Sequence, residues 1–592
     1  MAAAHAKLTG GLGVVIATSG PGATNLVTGL MEAQMDNVSL LAITGMKPTA
    51  QLGYAEFQDV NQSRLFSGAG IEWSKDTASV DGVIPLLRDA VATALTRRTC
   101  AHLAIPVDIQ AASSPLPFQH FCASYANVRT HPPHVDYIVI NEAAETLVGE
   151  HAKLPRNIIV VGLRGCFSER QEDNVGASIL ELAEALNAPI LTRLDAKGII
   201  DEMHPLSFGV VGVHGKPGME HAATLISSSD RVISIGVDDE TLLVCNLAGL
   251  QIRRVIEIEP DAFGLSTRFT AEHSLVGNIA DICTQLTSKV EILRSKQKKK
   301  ANIAKAILET WKNQENTLVH PRMNFDYMNY QNPIRGLRNG QLLPSLPEID
   351  SLCRDAERLW SAFHEGDWTC VSSIRVGLKY QTDLSDSSPN YCHPALVMGA
   401  ISRARRDPST SQTSRHSTIC VDVGDVTLWA SLSLSLQAGS RTLYSERLGT
   451  MGYALNAAIA AILAQPSPAG ATVLAGDGGF QMSLQELATF QQMRRPGDKL
   501  LCVVFDNQCL GRVAFGFDNA KGCEMVGPDY VALAKAYGGD GILLNKSSDA
   551  DAVIQRAMAA EGLYLIHVQV DPNVKADMAT FKDNSLKIMN SG

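Results

Sequence analysis

The chain has 592 residues, 45% of them hydrophobic and 19% charged, with a formal net charge of −10. That length exceeds what one hydrophobic core organises and implies about three to four domains. The acidic balance argues against a binder of phosphate backbones, so no nucleic-acid partner is expected. No run approaches the roughly 18 apolar residues that cross a bilayer, so no membrane partner is expected either. The twelve cysteines stand singly, without the Cys/His spacing of a zinc site. A reduced, cytoplasmic chain is the simplest reading. Organelle targeting stays open if the natural N-terminus lies upstream.

In chain order, short β-branched runs alternate with longer helical segments, the pattern of parallel α/β sheets. The first block, residues 1–115, offers strands at Val14–Ala17, Leu40–Ile43 and His102–Ile105, and a helix at Asn25–Gln34 after a glycine turn. The second, residues 130–290, offers the strand Ile158–Val161, the helix Ala177–Leu186, and strands at Pro189–Thr192 and Arg231–Ile235. Arg294 to Lys300 is a basic run, read as a solvated helix face. Asn313 to Asn390 has weak periodicity and many Asn, Ser and Pro residues, so residues 291–389 read as a linker or insertion, partly disordered. The last block, residues 390–592, offers strands at Thr418–Asp422, Thr472–Leu474, Leu500–Phe505 and Tyr564–Val570. The expected fold class is α/β, with three doubly wound parallel-sheet domains.

The chemistry concentrates in the last block. Gly476-Asp477-Gly478-Gly479-Phe480 follows a strand and precedes a helical segment, Ser483–Gln492. About thirty residues on, a second strand ends in Asp506-Asn507-Gln508-Cys509-Leu510-Gly511. Two strands of one parallel sheet bring such loops to the same carboxyl edge, where open α/β sheets bind ligands. A carboxylate and an amide oxygen there suit Mg²⁺, a hard cation that also takes phosphate oxygens. The glycines let backbone N–H groups approach those phosphates, and a helix N-terminus adds a favourable field.

Gly476 to Gly511 resembles the thiamine-diphosphate-binding motif, which opens with GDG and closes on an Asn-containing turn. Leu448-Gly449-Thr450-Met451-Gly452 resembles the GTMG segment of acetolactate synthases, and Val421-Asp422-Val423-Gly424 followed by Trp429 resembles the opening strand of their diphosphate-binding domain. The resemblance implies Asp477 and Asn507 as side-chain ligands of Mg²⁺ and the Cys509 carbonyl as a third. Gly476, Gly478 and Gly479 would line the diphosphate, Gly424 and Thr427 would lie beside it, and Thr427 would offer a hydrogen bond. Gly449 would offer its carbonyl to the cofactor's amino group, and Met451 would prop the cofactor in a bent shape. Three departures stand out: Asp506 replaces the family's usual Asn, Val426 and Thr427 replace a frequent His and Gln, and Arg512 replaces a usual Met.

Ser19-Gly20-Pro21-Gly22-Ala23-Thr24-Asn25 resembles the SGPG-x-x-N turn of the family's pyrimidine-binding domain, with Gly22 and Asn25 as cofactor-binding positions. Gly45, Phe57-Gln58 and His102 to Gln110 follow in that domain's order. The family's catalytic glutamate lies before the segment matched here by Met1 to Gly10. Neither Glu32 nor Glu56 stands in its place, and Gln58 is the only residue of this block offered for catalysis. Either the chain starts at an internal methionine or it is degenerate or repurposed.

The middle block follows the order of the family's central domain, where relatives hold FAD, ADP or nothing. FAD-holding relatives carry an Arg after the strand matched by Ile233-Ser234-Ile235-Gly236. Here Val237-Asp238-Asp239-Glu240 follows, and three carboxylates would repel a diphosphate, so FAD is disfavoured. His204 and His214 read as structural turn residues.

The resemblance implies an acetolactate-synthase-like enzyme that decarboxylates a pyruvate-like 2-oxo acid and transfers the two-carbon unit to an acceptor. It implies thiamine diphosphate and Mg²⁺ as cofactors, and a homodimer or tetramer with each site shared between two subunits. The alternatives are an FAD-linked oxidase and a non-catalytic paralogue without the glutamate. An NAD-dependent dehydrogenase finds no support, because no GxGxxG follows a first strand.

Overall fold

A computed structural model describes residues 1–54, 56–113, 135–149, 155–166, 174–212, 225, 228–238, 241, 255–266, 270–299, 357–363, 391–516, 522–572 and 574. Among them the chain forms three sheets, every pairing parallel. The first holds β1 (Gly13–Ala17), β2 (Leu40–Met46), β3 (Trp73–Asp76) and β4 (Cys100–Pro106) in the order β1-β2-β4-β3. The second holds β5 (Asn157–Val161), β6 (Ile190–Thr192), β7 (Ser207–Val210), β8 (Arg231–Ile235), β9 (Val255–Glu259) and β10 (His273–Val276) in the order β10-β9-β8-β5-β6-β7. The third holds β11 (Thr418–Val421), β12 (Thr442–Leu443), β13 (Gly470–Gly476), β14 (Lys499–Asp506), β15 (Asp540–Leu544) and β16 (Gly562–Gln569) in the order β12-β11-β13-β14-β16-β15. The expected three-sheet α/β fold is the one observed.

Continuous apolar runs make the central strands. Every residue of β5 is buried, as are all but the first of β14, because helices cover both faces of a parallel sheet. In the second and third sheets the winding direction reverses after the first strand. β5 lies between β6 and β8, and β11 between β12 and β13. Each reversal opens a crevice at the carboxyl edge, between β5 and β8 in one sheet and between β11 and β13 in the other.

Several expectations change in detail. The helix expected over Asn25–Gln34 runs from Val27 to Met35, and a separate short helix, Pro21–Thr24, precedes it, started by Pro21 at a position where a missing N–H costs nothing. The helix expected over Ser483–Gln492 is a 3₁₀ turn, Leu484–Glu486, followed by a helix, Leu487–Met493, while a separate short helix starts at Asp477 itself. Most of 291–389 lies outside the described residues. Its first part belongs to the long helix Ile279–Lys299. A helical stretch at 357–363 packs Trp360 and Phe363 into the middle block's core, and Trp360 Nε1 donates to Ser228 Oγ. Leu359, Trp360, Ala362 and Phe363 are buried there at helical spacing, but the stretch is too short for that period to stand out from sequence.

The blocks are locked together by buried charge. The helix Ala2–Thr9 lies on the helix Tyr453–Ala464, and Lys7 Nζ donates to Glu32 Oε1 (2.6 Å), Asp36 Oδ2 (2.6 Å) and Tyr444 O (2.9 Å). Arg193 of the middle block pairs with Asp195 and Asp238 and reaches Glu446 of the last block (3.9 Å). Such desolvated ions must be mutually satisfied, so they set the relative placement of the blocks.

Candidate functional site

The open crevice of the third sheet is built from three chain turns. At the end of β11, the buried carboxylate of Asp422 accepts N–H bonds from Val423 (2.8 Å), Gly452 (3.0 Å) and Ala454 (3.0 Å). Burial pushes this carboxyl up to about 6, against those three bonds. Asp422 thus ties the Gly449-Thr450-Met451-Gly452 turn to the strand end. Gly449 and Gly452 there take left-handed φ values of 66° and 81°, which side chains disfavour.

β13 delivers the second turn. Asp477 is the first residue of the helix Asp477–Gln481 and is 2% exposed. Its Oδ2 is buried and has no hydrogen-bond partner. Burial, and then Asp506 beside it, pushes its carboxyl up to about 7. A side chain at Gly478 would strike Leu510 Cδ2 at 2.8 Å and stand 3.4 Å from Met451 Cε, so Met451 lies over this glycine. At Gly479 a side chain would strike the Asp422 carboxylate at 2.6 Å.

The third turn follows β14. Asn507 Oδ1 accepts the Cys509 N–H (3.1 Å), and Gln508 takes a left-handed φ of 55° that turns the chain back toward Asp477. Asp506 accepts from the Gln508 N–H (3.0 Å) and pairs with His567 Nε2 (2.8 Å). Burial opposes its charge, but the His567 hydrogen bond and the backbone donor outweigh it and hold the carboxyl below the usual range. Tyr530 donates to the Asp477 carbonyl (3.3 Å) and packs edge-on against both Phe480 and His567.

These turns enclose a cleft of about 150 Å³ lined by Gly424, Asp425, Val426, Met451, Gly476, Asp477, Gly478, Gly479, Asn507, Cys509 and Arg512, among others. The structure therefore brings together nearly all of the expected diphosphate and metal positions. Gly449 adjoins the cleft through the next turn, beside Val423. Among the described residues no three His, Cys, Asp or Glu side chains could hold a metal. A cation here would be held by one carboxylate, one amide oxygen and a backbone carbonyl, leaving positions for phosphate oxygens. The orphaned Asp477 oxygen fits such an ion.

Thr427 corrects an expectation. Its hydroxyl donates to the Asp422 carbonyl (2.9 Å) and accepts the Gly424 N–H (3.2 Å), and the residue is fully buried. It caps its own helix, Asp425–Ser433, and lies outside the cleft lining, where Val426 stands instead.

The first block's residues gather at a different place. Gly20 (φ 62°) sits under Gln58, whose Cβ would lie 2.7 Å from any side chain there, and Ser19 Oγ donates to Gln58 Oε1 (3.3 Å). Gly22 is packed against Thr18, while Asn25 is exposed. None of these residues lines the described cleft. Glu32 is held by Lys7 and Glu56 is exposed. Asp422, Tyr530 and His567 were not singled out from sequence. His567 left a signal, being an imidazole in the largely apolar β16, alongside β14.

Residues 1–65 match the thiamine pyrophosphate enzyme N-terminal TPP binding domain, 151–286 its central domain, and 422–568 its C-terminal TPP binding domain. The chain is 25% identical to a probable acetolactate synthase large subunit from Methanococcus aeolicus, over 97% of this chain and 84% of that protein. It is 27% identical to the acetolactate synthase large subunit of Cyanidium caldarium, over 98% and 86% respectively. Against the acetolactate synthase isozyme 2 large subunit of Escherichia coli (strain K12) it is 26% identical, over 96% and 86%. With the three domain matches in order over more than half of its length, and the metal and diphosphate turns assembled on one sheet edge, the chain belongs to the thiamine pyrophosphate enzyme family.

Proposed function

We propose that this chain is a carboligase of the acetolactate-synthase type, which decarboxylates a pyruvate-like 2-oxo acid and passes the two-carbon unit to an acceptor. The observation that carries the reading is the buried Asp477 oxygen without a partner, in a cleft shared with Asn507 and Cys509. Bound thiamine diphosphate supplies the electron sink that lets a bond between a carbonyl carbon and its carboxylate break. Asp477, Asn507 and the Cys509 carbonyl would hold Mg²⁺, and Gly424, Gly476, Gly478 and Gly479 would let the diphosphate approach the backbone. Met451, packed over Gly478, would set the cofactor's bend, and Gly449 would accept from its amino group. Arg512 places a cation on the cleft wall, suited to the carboxylate of a 2-oxo acid.

The first block would supply its turn from a second copy of the chain, a reading supported by Ser19–Asn25 and Gln58 lying outside this cleft. Gln58 would act by positioning, since an amide does not exchange protons near neutral pH. A homodimer is the smallest assembly with a closed site, and light scattering of the purified chain reads this directly.

The deciding experiment incubates the protein with Mg²⁺, thiamine diphosphate and ¹³C-labelled pyruvate and follows products by NMR. Labelled acetolactate is the expected result. Intact pyruvate, despite cofactor binding measured by calorimetry, would overturn the carboligase reading in favour of a non-catalytic paralogue.

A further inference from the structure

The second sheet has the same reversal of winding as the third, and its crevice lies between the carboxyl ends of β5 and β8. Among the described residues, that crevice is filled by the chain itself. Gly162, Gly165 and Gly236 bring the two strand-end turns into backbone contact. A side chain on Gly236 would fall 1.8 Å from Gly165 N, one on Gly162 2.4 Å from Gly236 O, and one on Gly165 2.5 Å from Ile235 O. The strand-end N–H groups of these two turns are already used. Gly162 donates to Ile235 O (3.0 Å), Gly165 to Gly162 O (3.0 Å) and Gly236 to Ile258 O (2.9 Å).

Arg164, between two of those glycines, is 7% exposed and lays its guanidinium along the strand ends. Its Nε and one terminal nitrogen donate to both oxygens of Glu259 (2.9 and 3.0 Å), at the end of β9. That same nitrogen also donates to Val237 O and Gly264 O, each at 3.0 Å. Glu259 is 1% exposed and has both oxygens engaged. An acidic residue at a strand end beside the glycine turn is the group that takes ribose hydroxyls in a nucleotide-binding α/β domain. Here it takes an arginine of its own chain.

We propose that the Arg164–Glu259 pair occupies the nucleotide crevice of the middle domain, so that this chain holds no flavin or adenine nucleotide there. Of the carboxylates after β8, Asp238 does not supply the reason. Asp238 is buried and paired with Arg193, and Asp239 and Glu240 lie outside the described residues. Exclusion comes from filled space and from a carboxylate whose two oxygens are already engaged. The consequence reaches the chemistry, because an enzyme without flavin in this domain cannot pass electrons to it and is left with non-oxidative carbon transfer.

The test uses the full chain purified without added flavin. Heat-released supernatant is scanned for flavin absorbance, and Tm is followed with FAD, with ADP, and with thiamine diphosphate plus Mg²⁺. The last arm reports on the third-sheet cleft and separates failure of this inference from failure of the functional reading. The expected result is no released flavin and no rise in Tm with FAD or ADP. Arg164→Gly, which empties the crevice and leaves Glu259 free, is expected to gain ADP affinity by at least about tenfold. Arg164→Ser, which also clears the guanidinium and leaves Glu259 free, reads the same gain if the glycine variant does not fold. Flavin at one per wild-type chain, an ADP response in the wild type, or no gain in a folded variant would each overturn the inference.

Discussion

The second and third sheets present the same topological feature and treat it in opposite ways. Between β11 and β13 the crevice stays open, and its floor holds a buried Asp477 oxygen with no partner. Between β5 and β8 the crevice is closed by backbone contact and by an arginine with four hydrogen bonds. Strand order alone therefore predicts where a ligand could sit, and local side chains decide whether one does. An unsatisfied buried polar atom marks the first case and a buried ion pair with both carboxylate oxygens engaged the second.

The comparison can be broken most forcefully at Arg164. Arg164→Met leaves Glu259 buried without its cation and is expected to cost about 3–5 kcal/mol, read as a shift in the urea unfolding midpoint. A loss near zero would mean that the pair contributes no closure.

The first sheet extends the contrast with a polar network buried in its core. His102 sits between Thr44 Oγ1 (2.7 Å) and Ser74 Oγ (2.8 Å), and burial lowers its pKa to about 4. The folded state therefore refuses a proton that the unfolded chain accepts below about 6.5. Stability is full above that value and falls as pH drops toward 4, by at most about 3 kcal/mol. Thermal unfolding across that range should show the slope, and His102→Gln should flatten it.

At the open crevice, Asp477→Ala is expected to weaken Mg²⁺–thiamine diphosphate binding by about 100-fold, close to 2.7 kcal/mol, as measured by calorimetry. Its stability should hold or rise, because it removes an unsatisfied buried oxygen. The same truncation at Glu259 should destabilise, and that difference in sign sharpens the contrast between the two sheets. Thr427→Val should be the smallest effect. Loss of the helix cap costs about 1 kcal/mol of stability and leaves cofactor affinity nearly unchanged in the same titration. A large affinity loss would return Thr427 to the binding site.

Much of the open site was legible because its determinants are local. Gly476-Asp477-Gly478-Gly479 joins a strand to a helix over adjacent residues, and Asp506-Asn507 ends the neighbouring strand, so chain order nearly dictates their meeting. Thr427 was misplaced because a hydroxyl one turn into a helix can face a ligand or its own cap, and packing around Asp422 chose the cap. The stretch at 357–363 was missed because its meaning lies in Trp360 finding Ser228, across more than a hundred residues.

The sequence by itself determined three α/β blocks, the strands whose ends matter, and the residues of the metal and diphosphate turns, since periodicity and short motifs act within one turn of chain. Only the tertiary structure decided which crevice is open. Arg164 and Glu259 are 95 residues apart, and nothing in either one's neighbours announces the other. Their pairing depends on the strand order that brings β5 and β9 to opposite sides of β8. Desolvation then makes the pairing obligatory, because a buried charge left alone costs more than the fold can spare.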